Sequence, residues 1–109
     1  MEVSAKRSGN GAVIKVSGDV DLYSSPRLRE AILDSVKKRL TPIVVNLAGV
    51  TYIDSSGIAT LVEGLQLSRE YGGKLRLVSL NDRVSEVLHL ARLQRVFEIR
   101  GTEAEALED

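Results

Sequence analysis

Apolar and polar positions along the chain change period several times, and each change marks an element. Residues 3–7 form a weak strand pattern and 12–16 a stronger one, with Val and Ile around Lys15. Between them Ser8-Gly9-Asn10-Gly11 supplies the turn residues of a hairpin. Leu28, Ala31, Ile32, Ser35 and Val36 then fall at helical spacing, which predicts a helix over 26–39. Ser25 is its expected N-cap and Pro26 its first helical residue, and Thr41-Pro42 breaks it. The run "IVVNL", 43–47, is almost continuously apolar, as in a central strand covered on at least one face. Ile58, Leu61, Val62 and Leu65 line one side of a second helix that runs to about Tyr71, where Gly72-Gly73 stops it. "KLRLVSL" alternates as a strand does. Asn81 caps a third helix with Val84, Val87, Leu88 and Ala91 inward, "RVFEI" (95–99) gives a last strand, and the tail adds a final helical turn.

The resulting order, β-β-α-β-α-β-α-β-(α), is that of an α/β protein. Two opening strands followed by strand–helix alternation imply a mixed four- to five-stranded sheet with parallel crossovers. The amphipathic strands place the helices mainly on one face. With no repeat, linker or low-complexity segment, residues 1–109 are expected to form one domain.

Composition narrows the function classes. The 43% apolar and 28% charged residues suit a soluble globular chain, and the few aromatics leave the core to Val, Leu, Ile and Ala. Basic and acidic residues balance at 15 each, which argues against a broad nucleic-acid or anionic-membrane surface. No cysteine is present, so disulfides and thiolate sites are excluded. Nothing resembles a signal core or the ~20 apolar residues of a membrane span, so a cytoplasmic location is expected. The acidic "GTEAEALED" reads as a short solvated helix or frayed tail.

The candidate chemistry is concentrated in "TYIDSSGIATL", 51–61. Asp54 sits where the strand-like run gives way to the second helix. On one reading its carboxylate simply caps the helix start, with Ser55 and Ser56 in the first turn and Gly57 there for packing; such a cap contributes about 1 kcal/mol. On the other, the free N–H groups and positive dipole end of the helix tolerate an added anion. A phosphoryl group on Ser55 would bring about −1.5 to −2 charges without unfolding the helix, and would change any partner surface touching it.

Catalysis fits poorly. A serine nucleophile needs a base within reach, and the only histidine, His89, lies on the third helix off its apolar face. There is no nucleophile elbow or phosphate-binding loop. No metal or cofactor is expected, and the chain does not read as an enzyme.

"VVNLAGVTYIDSSGIATL" resembles the signature of the STAS domain family, specifically the bacterial anti-sigma factor antagonists. "VSGDVDLYSSPRLREAI" is similar to that family's second strand, turn and first helix. "YGGKLRLVSLNDRVSEVLHLARLQRVFEI" is similar to its strand–helix–strand ending, so the resemblance covers essentially the whole chain. It implies a STAS-like fold and a regulatory binding module in place of an enzyme. In such proteins the serine after the motif aspartate, here Ser55, is phosphorylated by an anti-sigma factor that is also a serine-protein kinase. The unmodified form binds that kinase and frees a sigma factor; phosphorylation ends the complex, and a metal-dependent serine phosphatase restores it. The resemblance places Asp54, Ser55, Ser56 and Gly57 in the partner-binding site, with Gly57 letting the helix start lie close to the partner. Asp21 matches a family position near the same surface; its other reading is a turn or capping residue. Tyr23, Glu63, Gln66 and Arg69 are rim contacts or simply solvated residues. The fold also serves as a subunit of ABC lipid transporters and as a scaffold of stress-sensing complexes. The hydroxyl at Ser55 favours the phosphorylation switch over both.

Overall fold

The computed structural model describes residues 1–108 and opens with the expected hairpin. Strands β1 (Glu2–Ser8) and β2 (Gly11–Val20) pair antiparallel from Glu2↔Ser17 to Ser8↔Gly11. Gly9, at φ 57°, supplies the positive φ that a type II′ turn needs at its first central residue. Four further elements alternate before the end of the sheet: α1 (Ser25–Lys37), β3 (Ile43–Ile53), α2 (Ser55–Glu70) and β4 (Leu75–Val78). Helix α3 (Asp82–Leu90), strand β5 (Glu98–Arg100) and helix α4 (Glu103–Leu107) follow. The strands lie in the order β1-β2-β3-β4-β5, every pair after the first being parallel, so the sheet is mixed as the element order requires.

Side-chain alternation divides the core between two faces. Ile14 and Val16 of β2, Ile43, Val45 and Leu47 of β3, and Leu75 and Leu77 of β4 meet Leu28, Ile32, Ile58, Leu61, Leu65, Val84 and Leu88 from α1, α2 and α3. The intervening residues Val13, Val44 and Val78 face the other way and pack with Ala106 and Leu107 of α4. Helices therefore lie mainly on one face, with α4 alone on the other. The described part of the tail is accordingly a packed helix, with Ala106 buried and Leu107 half-buried. Arg76, 2% exposed, reaches under α4 and donates to the carbonyls of Ala106 (2.7 Å) and Glu108 (2.6 Å) and to Glu98 Oε2 (3.0 Å).

Several boundaries differ from the sequence expectation. Strand β3 continues past residue 47 to Ile53, because it takes up one extra residue opposite Lys15–Ser17 of β2 and another, Thr51, opposite Gly18–Asp19, and so stays paired with β2. The final strand is Glu98–Arg100; the apolar residues before it form turns in which Phe97 folds back into the core. Ala91, expected inward, is exposed beyond the end of α3. The N-cap of α1 is Ser24, not Ser25, which is buried as the first helical residue.

Candidate functional site

The site is built where β2 and β3 end together. Val20 pairs with Ile53, and Asp54 N–H donates to Val20 O (3.1 Å), so the loop after β2 and the turn after β3 emerge side by side. Thr51 Oγ1 donates to Asp19 Oδ1 (2.6 Å) and ties the two strand ends again.

Asp54 leaves β3 in extended conformation and caps α2. Its Oδ1 accepts from Ser56 N–H (2.9 Å), Ser56 Oγ–H (2.6 Å) and Gly57 N–H (3.3 Å), satisfying orphan donors of the first turn. The Ser56 hydroxyl is the main cause that holds the Asp54 carboxyl below its ordinary range; partial burial opposes it, and the N–H groups of Gly57, Ser56 and Leu22 add to the depression. The capping expectation for Asp54 is thus met in detail.

Ser55 and Ser56 differ sharply. Ser56 is half-buried with its hydroxyl committed to Asp54, whereas Ser55 is exposed at the first position of α2 and its hydroxyl takes no part in the cap. Ser55 therefore presents an O–H to solvent beside a carboxylate and at the positive end of a helix of 16 residues.

Gly57 is buried, and the close approach it permits is to its own sheet. A Cβ there would lie 2.7 Å from Ile53 Cγ1 and 2.8 Å from Val20 Cγ1. Its missing side chain faces inward, which sets the first turn of α2 close on the strand ends.

Asp21 is a turn former. Its Oδ1 accepts from Tyr23 N–H (3.0 Å) and Ser24 N–H (3.0 Å), while Ser24 Oγ accepts from Asp21 N–H (2.9 Å). This Asx-type arrangement feeds the chain into α1. The Asp21 carboxylate is thus committed within its own loop, and that loop reaches the site through Leu22, whose N–H faces the Asp54 carboxylate.

Of the apolar surroundings, sequence reasoning named Tyr23 and missed Leu22, Tyr52 and Leu90. Leu22 is 69% exposed and Tyr23 90% exposed on the β2 side of Ser55. On the other side Tyr52 and Leu90 are exposed along a groove that also includes Asp82, Arg83, Glu86 and Val87. Leu22 and Tyr23 interrupt the periodicity of their segment, which is the signal that marks them. Of the polar residues on α2, Glu63 is held by a bidentate pair with Arg29 of α1 (2.6 and 3.0 Å), while Gln66 and Arg69 are exposed. His89 is exposed on the last turn of α3. Among the described residues no group of three His, Cys, Asp or Glu side chains is placed to hold a metal, and no helix is long and apolar enough to cross a membrane.

A hydroxyl exposed on a capped helix start and flanked by apolar side chains can serve as an acceptor of modification within a protein-binding surface. Comparison with known proteins identifies what the chain is similar to. Over 99 residues the chain is 26% identical to the anti-sigma-B factor antagonist of Bacillus subtilis (strain 168), covering 91% of this chain and 90% of that protein. An anti-sigma factor antagonist from Mycobacterium paratuberculosis shares the fold with a TM-score of 0.87 at 24% identity, over 97% of this chain and 90% of that one. The Bacillus cell fate determinant SpoIIAA in its phosphorylated form superposes with a TM-score of 0.76 at 19% identity, over 97% of this chain and 96% of that one. The family model of the STAS domain matches residues 2–106, the whole sheet and all but the last residue of α4, and the chain belongs to the STAS domain family.

Proposed function

We propose that this protein is an anti-sigma factor antagonist whose activity is switched at Ser55. In the unmodified state it binds an anti-sigma factor that is also a serine-protein kinase, and so releases a sigma factor. Transfer of the ATP γ-phosphoryl group to Ser55 Oγ, with loss of the hydroxyl proton, ends that complex; a metal-dependent serine phosphatase hydrolyses the ester and restores it. The protein works as one cytoplasmic binding domain, residues 1–109.

One observation carries this reading: of two adjacent serines at the start of α2, only Ser55 is exposed with its hydroxyl outside the cap. Relatives named anti-sigma-B factor antagonists and a structural neighbour described in a phosphorylated form support it. The partner surface comprises Ser55 with its supports Asp54 and Ser56, and the loop shaped by Asp21, with Leu22 and Tyr23 as apolar contacts. Added charge at Ser55 acts on that surface because the site is flanked by groups that must be desolvated on binding.

The test is intact-protein mass spectrometry after incubation with ATP and a candidate anti-sigma factor kinase from the same organism, followed by fragment mapping. One phosphate on Ser55, lost in Ser55→Ala, is the expected result. Ser55→Ala should still bind the kinase and Ser55→Glu should bind it poorly while remaining folded. Absence of phosphate with the cognate kinase, or full binding by the phosphorylated form, would overturn the switch.

A further inference from the structure

The hairpin leaves β1 as a seven-residue strand on the outer edge of the sheet. Its backbone polarity follows from the register. Ala12 N–H donates to Pro42 O on the β3 side (3.0 Å), so Gly11, Val13 and Lys15 direct their backbone groups toward β1, at Ser8, Lys6 and Ser4. The backbone groups of Val3, Ala5 and Arg7 therefore point away from β2. They form a ladder-competent edge, and an edge of this kind is a template for a further strand.

Charge on an edge usually blocks such pairing, but the charges here select one register. Antiparallel pairing about a two-fold axis at Ser4 sets Glu2 opposite Lys6 of the second copy, twice, and Val3 opposite Ala5. A shift that centres the axis on Lys6 would instead oppose two ammonium groups. Opposite charges across strands stabilise a pair and like charges destabilise it. Arg7 is turned away from the edge, its Nε donating to Gly9 O of its own turn (3.2 Å). The strand is also held ready at its start, because Arg27 Nη1 of α1 donates to Met1 O (2.9 Å). Beside it, half-buried Val3 lies in a groove lined by Ala5, Ala31 and Leu33 together with charged side chains of α1.

We propose that β1 is a self-association edge: two copies join their sheets antiparallel through Val3, Ala5 and Arg7, in the register that pairs Glu2 with Lys6. The contact is small, so the dimer is weak and concentration-dependent. It lies at the lateral edge of the sheet, whereas Ser55 lies at the end of β3, so both surfaces are open at once.

Sedimentation velocity from about 10 μM to about 1 mM tests this over the range of a small interface. The mass should rise from the 11.9 kDa monomer toward a dimer with concentration. Lys6→Glu should raise the dissociation constant by about tenfold, and Glu2→Lys combined with Lys6→Glu should restore it. Ala5→Pro, which removes an N–H that β2 does not use, should abolish association, with circular dichroism reporting whether the hairpin persists. A monomer throughout the range overturns the proposal. So does a dimer indifferent to Lys6→Glu, since that exposed substitution leaves folding intact.

Discussion

Ser56 donates its hydroxyl to Asp54 Oδ1 across 2.6 Å, so the two residues act as one capping unit from which Ser55 is left out. The bond aims the carboxylate at the N–H groups of Ser56 and Gly57 and fixes the chain's exit from β3. Ser56→Ala should therefore leave Ser55 accessible and lower stability by about 1 kcal/mol, as expected for loss of one hydrogen bond to a charged group near solvent. Urea unfolding checks this, and a cost near zero would show that the backbone donors alone hold Asp54.

Acid should weaken this cap. The Asp54 carboxyl is depressed first by the Ser56 hydroxyl, against partial burial and with help from the N–H groups. A carboxyl lower in the folded chain contributes stability that is present above its unfolded value, roughly 3.9, and is lost as pH falls through the folded one. Comparing urea midpoints from about pH 7 to about pH 3, the wild type should lose more stability than Asp54→Asn, which keeps an acceptor but does not titrate. Glu63, lowered chiefly by the Arg29 hydrogen bond, acts in the same direction and is common to both proteins.

Gly57→Ala should destabilise the fold by about 1–3 kcal/mol, the range for overpacking. The added Cβ meets Ile53 and Val20 within 3 Å, and both are core residues at strand ends with little room to shift. Thermal unfolding several degrees below the wild type is expected, with Gly64→Ala on the same helix as a second crowded site, where the Cβ meets Ile32 Cγ2 at 2.7 Å.

Arg76→Leu should release α4. The substitution leaves the carbonyls of Ala106 and Glu108 without their donor and removes the cation beside Glu98, whose carboxyl burial raises but Arg76 lowers to a net depressed value. Hydrogen exchange over 102–108 should accelerate while the amides of α1 and α2 keep their protection. Unchanged exchange would mean that Ala106 packing alone holds the tail.

What the sequence disclosed was local. Asp54 and Asn81 cap helices through donors within three residues, and both caps form, Asn81 Oδ1 accepting from Val84 N–H at 2.9 Å. The hairpin turn is equally local. The extension of β3 was hidden because Ala48 and Gly49 are exposed and carry no strand pattern; only the bulged register with β2 makes them strand residues. Arg76 stands in an alternating segment as if on a solvated face, and nothing nearby announces that α4, some thirty residues later, covers it. At the site, the serines and Asp54 were legible as a motif. The division of labour between Ser55 and Ser56 was not, because it depends on which hydroxyl the fold turns toward the carboxylate.

With no side chain at Gly57, the first turn of α2 rests directly on Ile53 and Val20, and there is no slack beneath it. A group attached at Ser55 cannot be absorbed by sinking or tilting the helix into the sheet. It must project into solvent, so the fold converts a chemical change into relief on its surface and keeps its interior silent.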